Sequence, residues 1–243
     1  MLPYRLPSYV FGPKWFYGFD SIIELVAIII SILLVYYSYK CYKLTSEERF
    51  LYFSVSFFSL TLAFIMKVVG TLAIYLPMLR NSVIGNMVRG VSYAITVRGV
   101  NALTFLLYIF FMVLGFMMLF LIVSRLTWEN KRVIALLMYL VVIATWLGAI
   151  HYQLFYLTTL ALLCLIVWSY YTNYRDIKSK NALLVLFSFG ILLLSHAFFI
   201  FVIYSRTIYV IAEITQLIGF LCLLIPFILI FKKKPKKHYK LVK

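Results

Sequence analysis

The chain has 243 residues, 65% of them hydrophobic and only 12% charged, with a formal net charge of +16. An apolar share so far above the half found in soluble domains excludes an ordinary soluble protein and places the chain in lipid. The basic residues lie between and after the apolar stretches, so phosphate-rich membrane surfaces rather than nucleic acid are their expected partner.

Residues 1–18 carry Pro3, Pro7 and Pro13 in place of the basic head and apolar run of a cleaved leader, so the first span is expected to insert uncleaved. Crossing the hydrocarbon core takes about 20 apolar residues in a helix. Seven windows qualify or nearly do: 19–39, 50–78, 101–124, 133–149, 152–172, 182–204 and 208–231. The fourth and fifth are parted only by a polar pinch at Ile150, His151 and Gln153. The alternating pattern of a membrane barrel is absent, and backbone in lipid must satisfy its own hydrogen bonds. The expectation is an all-α integral membrane protein: a single seven-helix domain over 1–231, followed by a basic cytoplasmic tail at 232–243.

Lys and Arg are retained on the cytoplasmic side of a membrane. One face collects Lys40, Lys43, Arg49, Arg125, Lys131, Arg132, Arg175, Lys178, Lys180 and seven lysines after residue 231. The other collects Arg5, Lys14, Arg80, Arg89, Arg98 and Arg206, which predicts an N-terminus outside and a C-terminus inside. Aromatic belts agree, with Trp146, Tyr152, Tyr204 and Tyr209 at the outer boundary and Tyr36, Tyr42, Trp128 and Trp168 at the inner one.

A shift of 132 residues lays Tyr42 to Leu62 over Tyr174 to Leu194 without a gap, matching Ser56 and Phe57 to Ser188 and Phe189. A shift of 104 lays Leu114, Gly115 and Phe116 over Ile218, Gly219 and Phe220. Spans one to three then echo spans five to seven, with span four as linker. This 3+1+3 plan is the parallel repeat used by some transporters. Chance matches between Leu- and Phe-rich helices are the competing explanation.

Four ionisable residues fall inside spans: Glu24, Lys67, His196 and Glu213. Each costs on the order of 3 kcal/mol to insert, so it faces the bundle interior and takes a partner. At about 1.5 Å of rise per residue, Glu24 and Glu213 each lie roughly 8 Å inside their outer helix ends and His196 roughly 12 Å. Asp20, Glu24, Ala27 and Ser31 share one helix face; so do Ser56, Ser59, Ala63, Lys67 and Gly70, and so do Glu213, Gln216 and Gly219. Lys67 is expected to pair with Glu24 or Glu213. The candidate ligand-binding set is therefore Glu24, Lys67, His196, Glu213 and Gln216, with a purely structural salt-bridge network as the bland alternative.

Other chemistries lack their residues. The seventh span has no lysine for a retinal Schiff base, and no Pro-Gln dipeptide marks the three-one-three sugar-exporting plan. His151, His196 and His238 are scattered over both membrane faces, which suits neither haem nor catalytic zinc. Ser195 and His196 are helix neighbours that point about 100° apart, which denies them a nucleophile and base pairing. Cys41, Cys164 and Cys222 have no pairable spacing. No cofactor, metal, enzymatic activity or nucleic-acid partner is expected. Lys232, Lys233, Lys234, Lys236 and Lys237 are expected to hold anionic lipid headgroups, at roughly 1 kcal/mol per basic residue.

Two functions are expected. The first is a permease-like plasma-membrane protein that takes an ion or small polar ligand from outside into a polar outer-half pocket. The second is a non-transporting subunit or sensor acting through a separate cytoplasmic protein partner.

Overall fold

A computed structural model describes residues 12–16, 18–83, 90–124 and 131–232. Seven α-helices run through them: α1 (Phe19–Thr45), α2 (Glu48–Val83), α3 (Gly90–Val123), α4 (Lys131–Ile150), α5 (Tyr152–Ile177), α6 (Lys180–Ile200) and α7 (Arg206–Lys232). Among the described residues there is no strand, as backbone confined to lipid requires. The Arg80, Arg89 and Arg98 side chains, Trp128 and the tail lysines lie outside what the structure describes.

Six helices are long and apolar enough to cross a membrane, so the chain is a multi-pass membrane protein. The seventh, α4, falls short: its apolar run is Ile134–Ile150, about 25 Å of rise against a hydrocarbon core of about 30 Å. The pinch at His151 is a true break, where the backbone turns extended between α4 and α5. The apolar windows leave gaps at 40–49 and 173–181 on the basic face, but α1 passes to α2 through Ser46 and Glu47 alone, and α5 to α6 through Lys178 and Ser179. The polar ends of these helices stay helical past the apolar windows, because nothing in Lys40–Thr45 or Asn173–Ile177 breaks the backbone hydrogen-bond run.

Packing follows the chain round a ring: α1 on α2, α2 on α3, α3 on α5, α5 on α6, α6 on α7 and α7 back on α1, with α4 outside against α3 and α5. Phenylalanines fill the middle. Phe64 of α2 meets Phe220 of α7 edge-on at 5.3 Å, and Phe116 of α3 meets the His196 ring of α6 edge-on at 5.3 Å. Hydroxyls clip neighbouring helices: Ser54 donates to the Val35 carbonyl, Ser59 to that of Phe111 and Ser195 to that of Ala212. Ser195 is thus a packing residue.

Several of these features recur at fixed offsets. Ser46 and Lys178, 132 positions apart, both adopt a left-handed backbone (φ 56° and 48°) and both donate their N–H to the carbonyl four residues back. Glu48 and Lys180, the same distance apart, start α2 and α6. A Cβ on Gly115 would stand 2.7 Å from Leu60, and one on Gly219 would stand 2.6 Å from Leu192. Both glycines therefore let two helices touch where any side chain would hold them apart.

Candidate functional site

The three helix faces read from the sequence all point inward. Asp20, Glu24, Ala27 and Ser31 are buried on α1; Ser56, Ser59 and Ala63 on α2; Glu213 and Gln216 on α7. α1 and α7 pack side by side and begin at the same end of the bundle, which brings Glu24 and Glu213 to a similar depth. Lys67, in the second half of α2, reaches them both. Its Nζ lies 3.1 Å from Glu24 Oε1 and donates a hydrogen bond to Glu213 Oε1.

This contact explains how three charges persist in an apolar interior. Inserting two charged groups costs about 6 kcal/mol at about 3 each. Opposite charges at 3.1 Å attract by about 5 kcal/mol at an effective dielectric near 20. One pair nearly balances; the second carboxylate is left over. Two carboxylates against one ammonium leave the trio one negative charge in excess when all three groups are ionised.

Aromatic rings complete the enclosure. The centroids of Tyr108, Phe199 and Tyr209 lie 5.9, 5.8 and 5.9 Å from Lys67 Nζ, each near enough for a cation–π attraction of about 0.5–2 kcal/mol. Tyr108 also packs edge-on against Phe155 of α5, with centroids 5.4 Å apart. Tyr209 was expected in the outer aromatic belt but is 6% exposed, because its ring packs against Phe16 and Phe199 instead of lipid. Trp146 and Tyr204, by contrast, are exposed, at 67% and 81%. Before α1, the turn Lys14–Phe16 lays Phe16 over Tyr209, and Gly18 stands at the N-cap of α1 with φ at 93°, a conformation that favours glycine.

The remaining predicted residues sit beside the trio without joining it. His196 is fully buried; its Nδ1 lies 2.9 Å from the Leu192 carbonyl, which can only accept, so that nitrogen carries a hydrogen. Its Nε2 has no hydrogen-bond partner among the described residues, and the rings of Phe116, Tyr156 and Phe199 surround it. Gln216 is one turn along α7 from Glu213, buried, its Nε2 likewise without a partner among the described residues. Asp20 holds the start of α1, accepting from the Gly18 and Ser21 backbone N–H groups.

Neither a protein-family model, a curated protein nor a solved structure matches this chain. The site must be read from its own geometry.

At the same sequence offsets from the trio, 132 and 104 residues, no charged residue stands. Residues 132 positions beyond Glu24 and Lys67 are Tyr156 and Phe199, whose rings stack 4.7 Å apart at an angle of 9°. The position 104 before Glu213 is Ile109. Where α1, α2 and α7 bring charges together, α5, α6 and α3 bring two rings and an aliphatic side chain. Sequence reading missed Tyr108, Phe199 and Tyr209 as parts of the site, although helical spacing placed Tyr209 one turn from Glu213.

Proposed function

We propose that the chain is a permease-like plasma-membrane protein that takes an ion or small polar solute at Glu24, Lys67 and Glu213, with His196 and Gln216 flanking the site. The observation that carries this reading is the meeting of three charges from three helices inside an apolar bundle. Such groups in membrane spans mark ion or substrate pathways by default. The reading is non-enzymatic.

A parallel repeat, α1 to α3 against α5 to α7 with α4 as linker, supports it, since paired repeats of one orientation are a transporter plan. In favour of that repeat are the shared helix ends at Ser46 and Lys178 and the shared glycine contacts on Leu60 and Leu192. The excess of Lys and Arg on one face supports an outside N-terminus, with the site in the outer half and Lys232, Lys233, Lys234, Lys236 and Lys237 on anionic headgroups inside.

One observation favours the alternative of a non-transporting subunit or sensor: α1, α2 and α7 pass the site without a break, whereas transporter sites often use interrupted helices. Proton flux into vesicles holding the purified protein, followed with a trapped pH-sensitive dye, separates the two. Wild-type flux above empty vesicles, lost in Glu213→Gln, supports transport. Equal flux in both proteins, or none in either, assigns the trio to structural pairing. A stoichiometric companion after isolation in mild detergent supports the subunit.

A further inference from the structure

The trio's charge and its unpartnered oxygen say more about what it holds. Of the two carboxylates, Glu213 takes the hydrogen bond from Lys67, whereas Glu24 faces the ammonium without hydrogen-bond geometry. Glu24 is 1% exposed, and its Oε2 has no hydrogen-bond partner among the described residues. A buried, ionised oxygen with no donor is costly to keep. An anion is repelled by the excess negative charge. A hard metal cation takes six or more oxygen ligands, but the walls here are the rings of Tyr108, Phe199 and Tyr209. Among the described residues no three His, Cys, Asp or Glu side chains group as a metal site would need. A proton needs one lone pair.

From this we infer that the trio is a proton site, with one exchangeable proton on Glu24 Oε2 while Lys67 neutralises Glu213. The step is a simple addition: a proton joins the Glu24 carboxylate to give the carboxylic acid and leaves again as a proton. The titratable groups around Glu24 are Asp20 on its own helix, Lys67 on α2, Tyr108 on α3, and Tyr209 and Glu213 on α7, while Tyr156 of α5 and His196 of α6 lie against Phe199. Of these only Lys67 contributes a fixed positive charge. The inference rests on the site proposed above but names its occupant.

Infrared spectroscopy of the purified, full-length protein in lipid at near-neutral pH tests it, because a protonated carboxyl has its own C=O stretch and exposed carboxylates are ionised there. With seven Asp and Glu residues in the chain, the band is countable. One carboxyl's worth of band is expected in the wild type and none in Glu24→Gln or Glu213→Gln, each of which leaves one carboxylate balanced by Lys67. Two are expected in Lys67→Met. Glu24→Asp, which keeps the carboxyl, restores the wild-type band and shows that loss in Glu24→Gln is not misfolding. Equal bands in wild type, Glu24→Gln and Glu213→Gln overturn the proton site. The band pattern without flux leaves the proton site standing and removes transport; flux without the pattern does the reverse.

Discussion

The Lys67 ammonium lies 5.8 Å from the centroid of Phe199, the residue 132 positions further along the chain. In the proposed repeat these are the same residue of two halves, and a contact between them would lie beside the axis relating the halves. Charge lies on one side of Phe199 and an aromatic stack on the other. Phe199 is therefore both wall and spacer, holding Lys67 on one side and Tyr156 on the other.

Phe199→Ala is expected to destabilise the bundle by about 3–5 kcal/mol, as large-to-small changes in a packed core do. Phe187, on the same helix but 63% exposed, supplies the comparison. Phe187→Ala should change stability by no more than about 0.5 kcal/mol. Thermal unfolding of the two variants in the same detergent checks the difference.

The two glycine contacts should behave as a matched pair. A methyl group on Gly115 or Gly219 meets a leucine under 3 Å away and backbone at 3.2 Å, so relaxation is limited. Gly115→Ala and Gly219→Ala are each expected to cost about 1–3 kcal/mol. Gly190, with nothing within 4 Å of a built Cβ, should gain up to about 1 kcal/mol as alanine through helix propensity. Unfolding in detergent across the three variants reads this pattern.

Hydroxyl clips between helices should matter less. Ser195→Ala removes a bond to the Ala212 carbonyl, and Ser59→Ala one to that of Phe111. Helix-to-helix hydrogen bonds in membranes average about 0.6 kcal/mol, so each variant should lose about that much and less than either glycine variant. The same unfolding assay measures it.

Much of this was legible in the sequence, because the physics that selects membrane spans is one-dimensional. Apolar length gives the helices, and a charge inside such a length must face inward, so Glu24, Lys67 and Glu213 could be placed on interior faces before their contact was known. Helix boundaries were less legible: Lys40 to Thr45 are polar yet helical, since hydropathy marks where lipid ends and not where the backbone stops coiling. The aromatic wall escaped notice because Tyr209 lies near a helix start, where tyrosine reads equally as a belt residue. His196 was grouped with the charges by depth alone; depth does not tell that Phe199 and Tyr156 surround it.

Every functional statement above depends on Lys67 and its carboxylates acting as one unit, and a double-mutant cycle on Lys67→Met and Glu213→Gln, read as unfolding free energy in detergent, tests that most directly. Lys67→Met, which takes from Glu213 its buried cation and hydrogen-bond donor, is expected to cost about 3–5 kcal/mol. The double variant should cost less than the sum of the two single variants by more than about 1 kcal/mol. Additive costs within about 0.5 kcal/mol would contradict the account, because residues that do not touch behave that way.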